Sequence, residues 1–125
     1  MITLATLKDA TAQQVFDQVA THLLKQNAKS RNSEAGACSY RGNEGRMCAA
    51  GCLIADSEYK PDWDNSTVGK SWWALNKEGF VPDAHVEMIR ALQGIHDHHA
   101  VEEWRDDLRT LSLKFGLEDT VLGTS

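Results

Sequence analysis

Cysteine, proline and long apolar runs are all scarce in this sequence. Among 125 residues there are three cysteines and two prolines, and no apolar stretch approaches the roughly 20 residues that cross a bilayer. An odd number of thiols (Cys38, Cys48 and Cys52), with no export signal, argues against a disulfide framework and predicts reduced cysteines. Met1–Leu7 has neither the basic start nor the long apolar stretch of a secretory signal. The expectation is therefore a soluble cytoplasmic protein with no membrane contact. Cationic excess is missing too, since 13 Lys+Arg face 18 Asp+Glu for a net charge of −5. Sequence-independent binding to duplex nucleic acid needs a dense stripe of Lys and Arg to release counterions, so that partner is not expected. The basic stretch that does occur, Lys25, Lys29, Arg31, Arg41 and Arg46, is diluted by Glu34 and Glu44. It leaves room for a small anionic ligand.

What is present suits one packed domain over residues 1–125, with 42% hydrophobic residues and with segments 1–8 and 117–125 expected at the periphery. Thr11-Ala12-Gln13-Gln14 reads as a capping box that opens a helix. Val15, Phe16, Val19, Ala20, Leu23 and Leu24 give that helix one apolar stripe, and it is expected to run to about Lys29. Gly42-Asn43-Glu44-Gly45, flanked by Cys38–Arg41 and Arg46–Cys48, predicts a short β-hairpin. Ala49, Ala50, Leu53 and Ile54 fit a short buried helix, and Gly69–Glu78 a second one closed by Gly79. Pro82 can open a long helix with Val86, Ile89, Leu92, Gln93 and His96 on one face and His85, Met88, Leu92 and Ile95 on the next. Val101, Trp104, Leu108, Leu111 and Phe115 mark the inner row of a last helix, with Gly116 as its stop. The expected fold is mostly α, a small α+β domain of three long and two short helices around one core with a short β-hairpin.

Four groups of residues carry chemistry. Cys38, Cys48 and Cys52 could bind zinc with one imidazole such as His98, but the spacing lacks the paired knuckles of structural sites, so burial is the preferred reading and no cofactor is expected. Cys48 at a helix start with a histidine as base would make a nucleophile. The run His96-Asp97-His98-His99 resembles the adjacent His-Asp pair of metal phosphohydrolases, with His85 or His22 and Asp106 or Asp107 as further ligands. In that case His96 would be catalytic. A polar corner at a helix junction is the simpler account. Finally, Tyr40, Arg41 and Arg46 beside the Gly42–Gly45 turn, with Trp72 from the Trp72-Trp73 pair, form the expected ligand site: arginines for a phosphate or carboxylate, aromatic rings for the rest of the molecule. The competing account is that Arg41 pairs with Asp56 to fix the turn.

The residues Cys38-x-Tyr40-Arg41, then Cys48-Ala49-Ala50-Gly51-Cys52-Leu53-Ile54, then Asp56-x-x-Tyr59 resemble the signature of a group of small uncharacterised proteins of tailed bacteriophages and bacterial prophage regions. The resemblance extends over most of the chain and carries no activity with it. It implies an accessory protein of phage origin acting inside a bacterial host. The expected function is binding of a host protein or an anionic small molecule, of the kind that blunts host defence. The competing class is a small hydrolase using Cys48 with a histidine, or a metal at His96, His98 and His99. Oligomeric state is not legible in the sequence.

Overall fold

The computed structural model describes residues 1–31, 39–64 and 70–123. Cys38, the first residue of the expected hairpin's leading arm, lies outside them. Four α-helices are seen among the described residues: α1 (Ala12–Gln26), α2 (Trp72–Lys77), α3 (Val86–His98) and α4 (Trp104–Lys114). Short 3-10 turns connect and flank them, including Ala50–Leu53, Pro61–Asp64 and Thr120–Leu122. α3 packs on α4, α2 and the Ala50–Leu53 turn, while α1 packs on α4, the same turn and the closing turn.

The mostly helical expectation holds, and its local signals work where side chain and backbone agree. Thr11 accepts from the Gln14 N–H and the Gln14 side chain accepts from the Thr11 N–H, so both ends of the capping box are made. Val15, Phe16, Val19, Ala20 and Leu23 are fully buried. The helix stops three residues early because Asn27 adopts a left-handed conformation (φ 50°) and its N–H closes on Leu23 O. Asparagine is among the few residues that tolerate this shape. α3 likewise starts at Val86 rather than Pro82, since His85 is left-handed (φ 56°) and its Nε2 sits 2.7 Å from Ala10 O. That contact ties the start of α3 to the segment leading into α1. In α4, Trp104 and Leu108 are fully buried and Leu111 nearly so, as the row of apolar positions predicts, and Gly116 turns left-handed (φ 67°) after it.

The β-hairpin is not formed; among the described residues there is no strand. Gly42–Gly45 does turn, with Gly42 N–H bonded to Arg46 O at 2.9 Å and Glu44 left-handed. The arms fail to pair because their donors are engaged elsewhere: Tyr40 and Arg41 N–H on Asp64, Met47 N–H on Gln26 Oε1, and Ser39 N–H on Ser30 O. A Cβ at Gly42 would collide with Ser30 Oγ and the Arg31 backbone. Only glycine fits there.

The end segments, expected at the periphery, contribute to the core. Leu7 and Leu122 are both 0% exposed. Backbone donors of residues 2, 4 and 5 are held by Gln18 and Glu58, and Arg109 holds Asp119 and Gly123 O. No helix among the described residues is long and apolar enough to cross a membrane.

Candidate functional site

The segment from Tyr40 to Asp64 folds around one guanidinium. Arg41 Nη1 donates to Gly51 O (2.9 Å) and Tyr40 O (3.3 Å), Nη2 to Ile54 O (2.6 Å) and Asp56 Oδ1 (3.2 Å), and Nε to Asp56 Oδ1 (3.3 Å). All five of its N–H groups are thereby engaged. The same group lies 5.0 Å from the Tyr59 ring centroid. Gly51 must be glycine, because a Cβ there would sit 2.5 Å from Tyr40 O. Tyr40, Arg41, Gly51, Asp56 and Tyr59 thus form a structural clamp, and the pairing of Arg41 with Asp56 is present at 3.2 Å. Arg46 lies apart, paired with Glu44 at 3.0 Å and lining a shallow depression with His22 and Lys25. The structure does not bring Arg41 and Arg46 together around one ligand.

The histidines of the 96–99 run diverge. His96 is fully buried and stacks on Trp104. Its Nε2 lies 3.0 Å from the Ser30 N–H and its Nδ1 2.7 Å from Asp97 Oδ1. A backbone N–H only donates, so Nε2 accepts and the ring proton resides on Nδ1, where it is donated to the carboxylate. His99 turns away to Asp107 at 2.7 Å, and His98 is exposed. Among the described residues no three His, Cys, Asp or Glu side chains are placed to hold a metal ion.

The thiols behave as interior groups. Cys48 Sγ accepts from the Gly51 N–H at 3.3 Å, and Cys52 Sγ donates to Ala49 O at 3.2 Å. Burial pushes the Cys48 thiol well above its ordinary value, and the nearby carboxylates Asp97 and Asp64 push it the same way. Burial likewise pushes Cys52 up to about 12. Both are neutral at pH 7, the opposite of what a thiolate nucleophile needs. No histidine is hydrogen-bonded to either sulfur among the described residues.

A cavity of about 330 Å³ opens between the clamp, the start of α2 and one face of α3. Its walls include Tyr40, Cys48, Asp64, Lys70, Ser71, Trp72, Arg90, Gln93, Gly94, Asp97 and His98. Two of the expected ligand residues, Tyr40 and Trp72, are therefore brought together here, with the candidate residues Cys48 and His98. What decides the chemistry of the cavity is which polar groups the protein has already paired. Asp64 accepts from Tyr40 N–H (3.0 Å), Arg41 N–H (3.1 Å) and Tyr59 OH (2.6 Å). Asp97 accepts from Gln93 Nε2 and His96 Nδ1. Gln93 Oε1 takes the Ala50 N–H, Tyr40 OH donates to Lys70 O, and Lys70 Nζ is held by Glu78. By contrast, Arg90 and His98 make no hydrogen bond or ion pair with the described residues. The indole N–H of Trp72, 2% exposed, is a buried donor with no acceptor among the described residues. Among the described lining residues, the side chains left without a partner are thus a buried indole donor, a guanidinium and an imidazole.

The sequence reading missed Arg90, Gln93, Gly94 and Asp97 as a set. A signal exists: they recur at three- and four-residue spacing and form a polar stripe beside the apolar face of α3. Glycine in a helix interior is unfavourable by about 1 kcal/mol relative to alanine, yet a Cβ at Gly94 would meet nothing within 4 Å. Glycine there keeps one wall of the cavity open. Comparison of the chain with protein-family models, with curated proteins and with solved structures finds no match.

Proposed function

We propose that this is an accessory protein of phage origin that acts in the cytoplasm of a bacterial host by binding, and that the Tyr40–Trp72 cavity holds an anionic small molecule. The observation that carries this reading is the imbalance of hydrogen-bonding capacity in the cavity. Its carboxylates are satisfied by protein donors, whereas Arg90, His98 and the Trp72 N–H have no partner among the described residues. A ligand that fits must therefore bring acceptors, and a negative charge is favoured beside an unpaired guanidinium. The volume, near the lower end of the roughly 300–1,000 Å³ usual for ligand sites, favours a small molecule over a polypeptide. The phage-protein signature supports the cellular setting, and capture of a signal or metabolite of host defence fits such a setting. Neutral buried thiols favour binding over nucleophilic catalysis.

Gly94→Leu tests the reading with little risk to the fold, because the added side chain enters open space and the helix gains from losing a glycine. A native mass spectrum of wild-type protein taken directly from cells should show one retained small molecule per chain. Gly94→Leu and Arg90→Gln should lose that mass while melting at or above the wild-type temperature. Retention of the same mass by both variants, or no retained mass on the wild type, would overturn the reading.

A further inference from the structure

Resting on that reading, we infer that the occupant is two-ended: a phosphate head held at the mouth by Arg90 and His98, and an uncharged tail that presents a hydrogen-bond acceptor to the indole N–H of Trp72. The two ends follow from a gradient of exposure along the cavity. Arg90 and His98 are exposed, whereas Trp72 is 2%, Cys48 1% and Tyr40 6% exposed. A charged head keeps part of its hydration at the mouth, where a guanidinium also offers a planar fork of donors. Further in, the head would meet the half-buried carboxylates of Asp64 and Asp97, and like charges repel. The head therefore stays outside and the tail goes in.

The tail must be neutral for the same reason, and its polarity is set by Trp72. An indole N–H only donates, and a buried donor left unpaired costs the protein free energy that an acceptor on the ligand recovers. A carbonyl or an unprotonated ring nitrogen satisfies it; a plain hydrocarbon or an ammonium group does not. The head is a phosphate rather than a carboxylate because a guanidinium and an imidazole on separate side chains, neither paired with the described residues, can divide three oxygens between them.

The test is a series of probes that adds one feature at a time: inorganic phosphate, phenyl phosphate, then 3- and 4-acetylphenyl phosphate. Binding is followed by dissociation constant and by the indole N–H resonances of the four tryptophans. At least one acetylphenyl phosphate should bind about tenfold more tightly than phenyl phosphate, the gain of one well-made buried hydrogen bond. It should move the Trp72 indole resonance, and the tenfold gain should vanish in Trp72→Phe, to which phenyl and acetylphenyl phosphates should bind alike. Inorganic phosphate should bind most weakly and leave the Trp72 resonance in place. Phenyl and acetylphenyl phosphates binding equally, or an unmoved Trp72 resonance in the wild type, would overturn the tail assignment even if Trp72→Phe fails to fold. Tighter binding of 4-acetylbenzoate than of 4-acetylphenyl phosphate would overturn the phosphate head. Failure of all probes, with Arg90→Gln still releasing the mass retained from cells, would sink this inference and leave the binding reading standing.

Discussion

Replacing Arg41 with glutamine separates a clamp on the backbone from a surface ion pair. Its side chain is 20% exposed, and its shortest bonds go to two carbonyls, Ile54 O at 2.6 Å and Gly51 O at 2.9 Å. Hydrogen bonds from a charged donor contribute about 1.5–3 kcal/mol each. The bonds to Tyr40 O and Asp56 are longer, at 3.2–3.3 Å, and Asp56 is 98% exposed, so they add little. Glutamine can regain one carbonyl bond at most from its shorter stem, and losses at one centre are not additive. The expected loss is about 2–4 kcal/mol. For a chain of this size that lowers Tm by roughly 10 °C. Urea unfolding followed by circular dichroism measures it, with Asp56→Asn as the control. If the clamp account is right, Asp56→Asn leaves the midpoint where it was. A loss in Arg41→Gln of less than about 0.5 kcal/mol, or an equal loss in both variants, would refute it.

Three further outcomes are expected. Leu108→Ala should destabilise by about 2–5 kcal/mol in the same assay, since Leu108 is 0% exposed in the row that α4 turns inward. Native protein at pH 8 should react with a maleimide slowly at Cys48 and Cys52, and rapidly only after urea is added, because burial holds both thiols neutral. His22 is lowered from its ordinary 6.5 mainly by burial, against a raising contribution from its contact with Met47 O. The unfolded chain therefore binds the proton first, so stability is whole above pH 6.5 and falls as pH drops through 6.5 toward the folded value. His22→Gln should flatten that part of the pH profile, and an unchanged slope would show that another group sets it.

Where an element's signal is local, the sequence carried it. The capping box at Thr11, the inner faces of α1 and α4, and the glycines that end helices all depend on residues within a few positions of one another. The hairpin could not be judged that way, because its arms fail for reasons lying far along the chain: Asp64 takes two of their N–H groups and Gln26 a third. The start of α3 is similar. Proline at position 82 is compatible with a first turn, but His85 is drawn to Ala10 O across 75 residues and breaks the helical path. Tertiary hydrogen bonds override a local preference worth less than they are.

The candidate site shows the same division at the level of chemistry. Tyr40 and Trp72 were legible as aromatic residues near a turn and a helix start, and both line the cavity. Arg41 was legible as a charge but not as a saturated one. Only the fold shows that its five donors are taken by the backbone and Asp56, which leaves Arg90 as the cavity guanidinium without a partner among the described residues. The His96-Asp97 pair, which resembles that of metal phosphohydrolases, holds Ser30 through a buried imidazole. The identity of a polar residue tells what it can bond, but its function depends on what remains unbonded after folding. That remainder, a guanidinium, an imidazole and a buried indole N–H around one cavity, is what gives Arg90, His98 and Trp72 their assignment here.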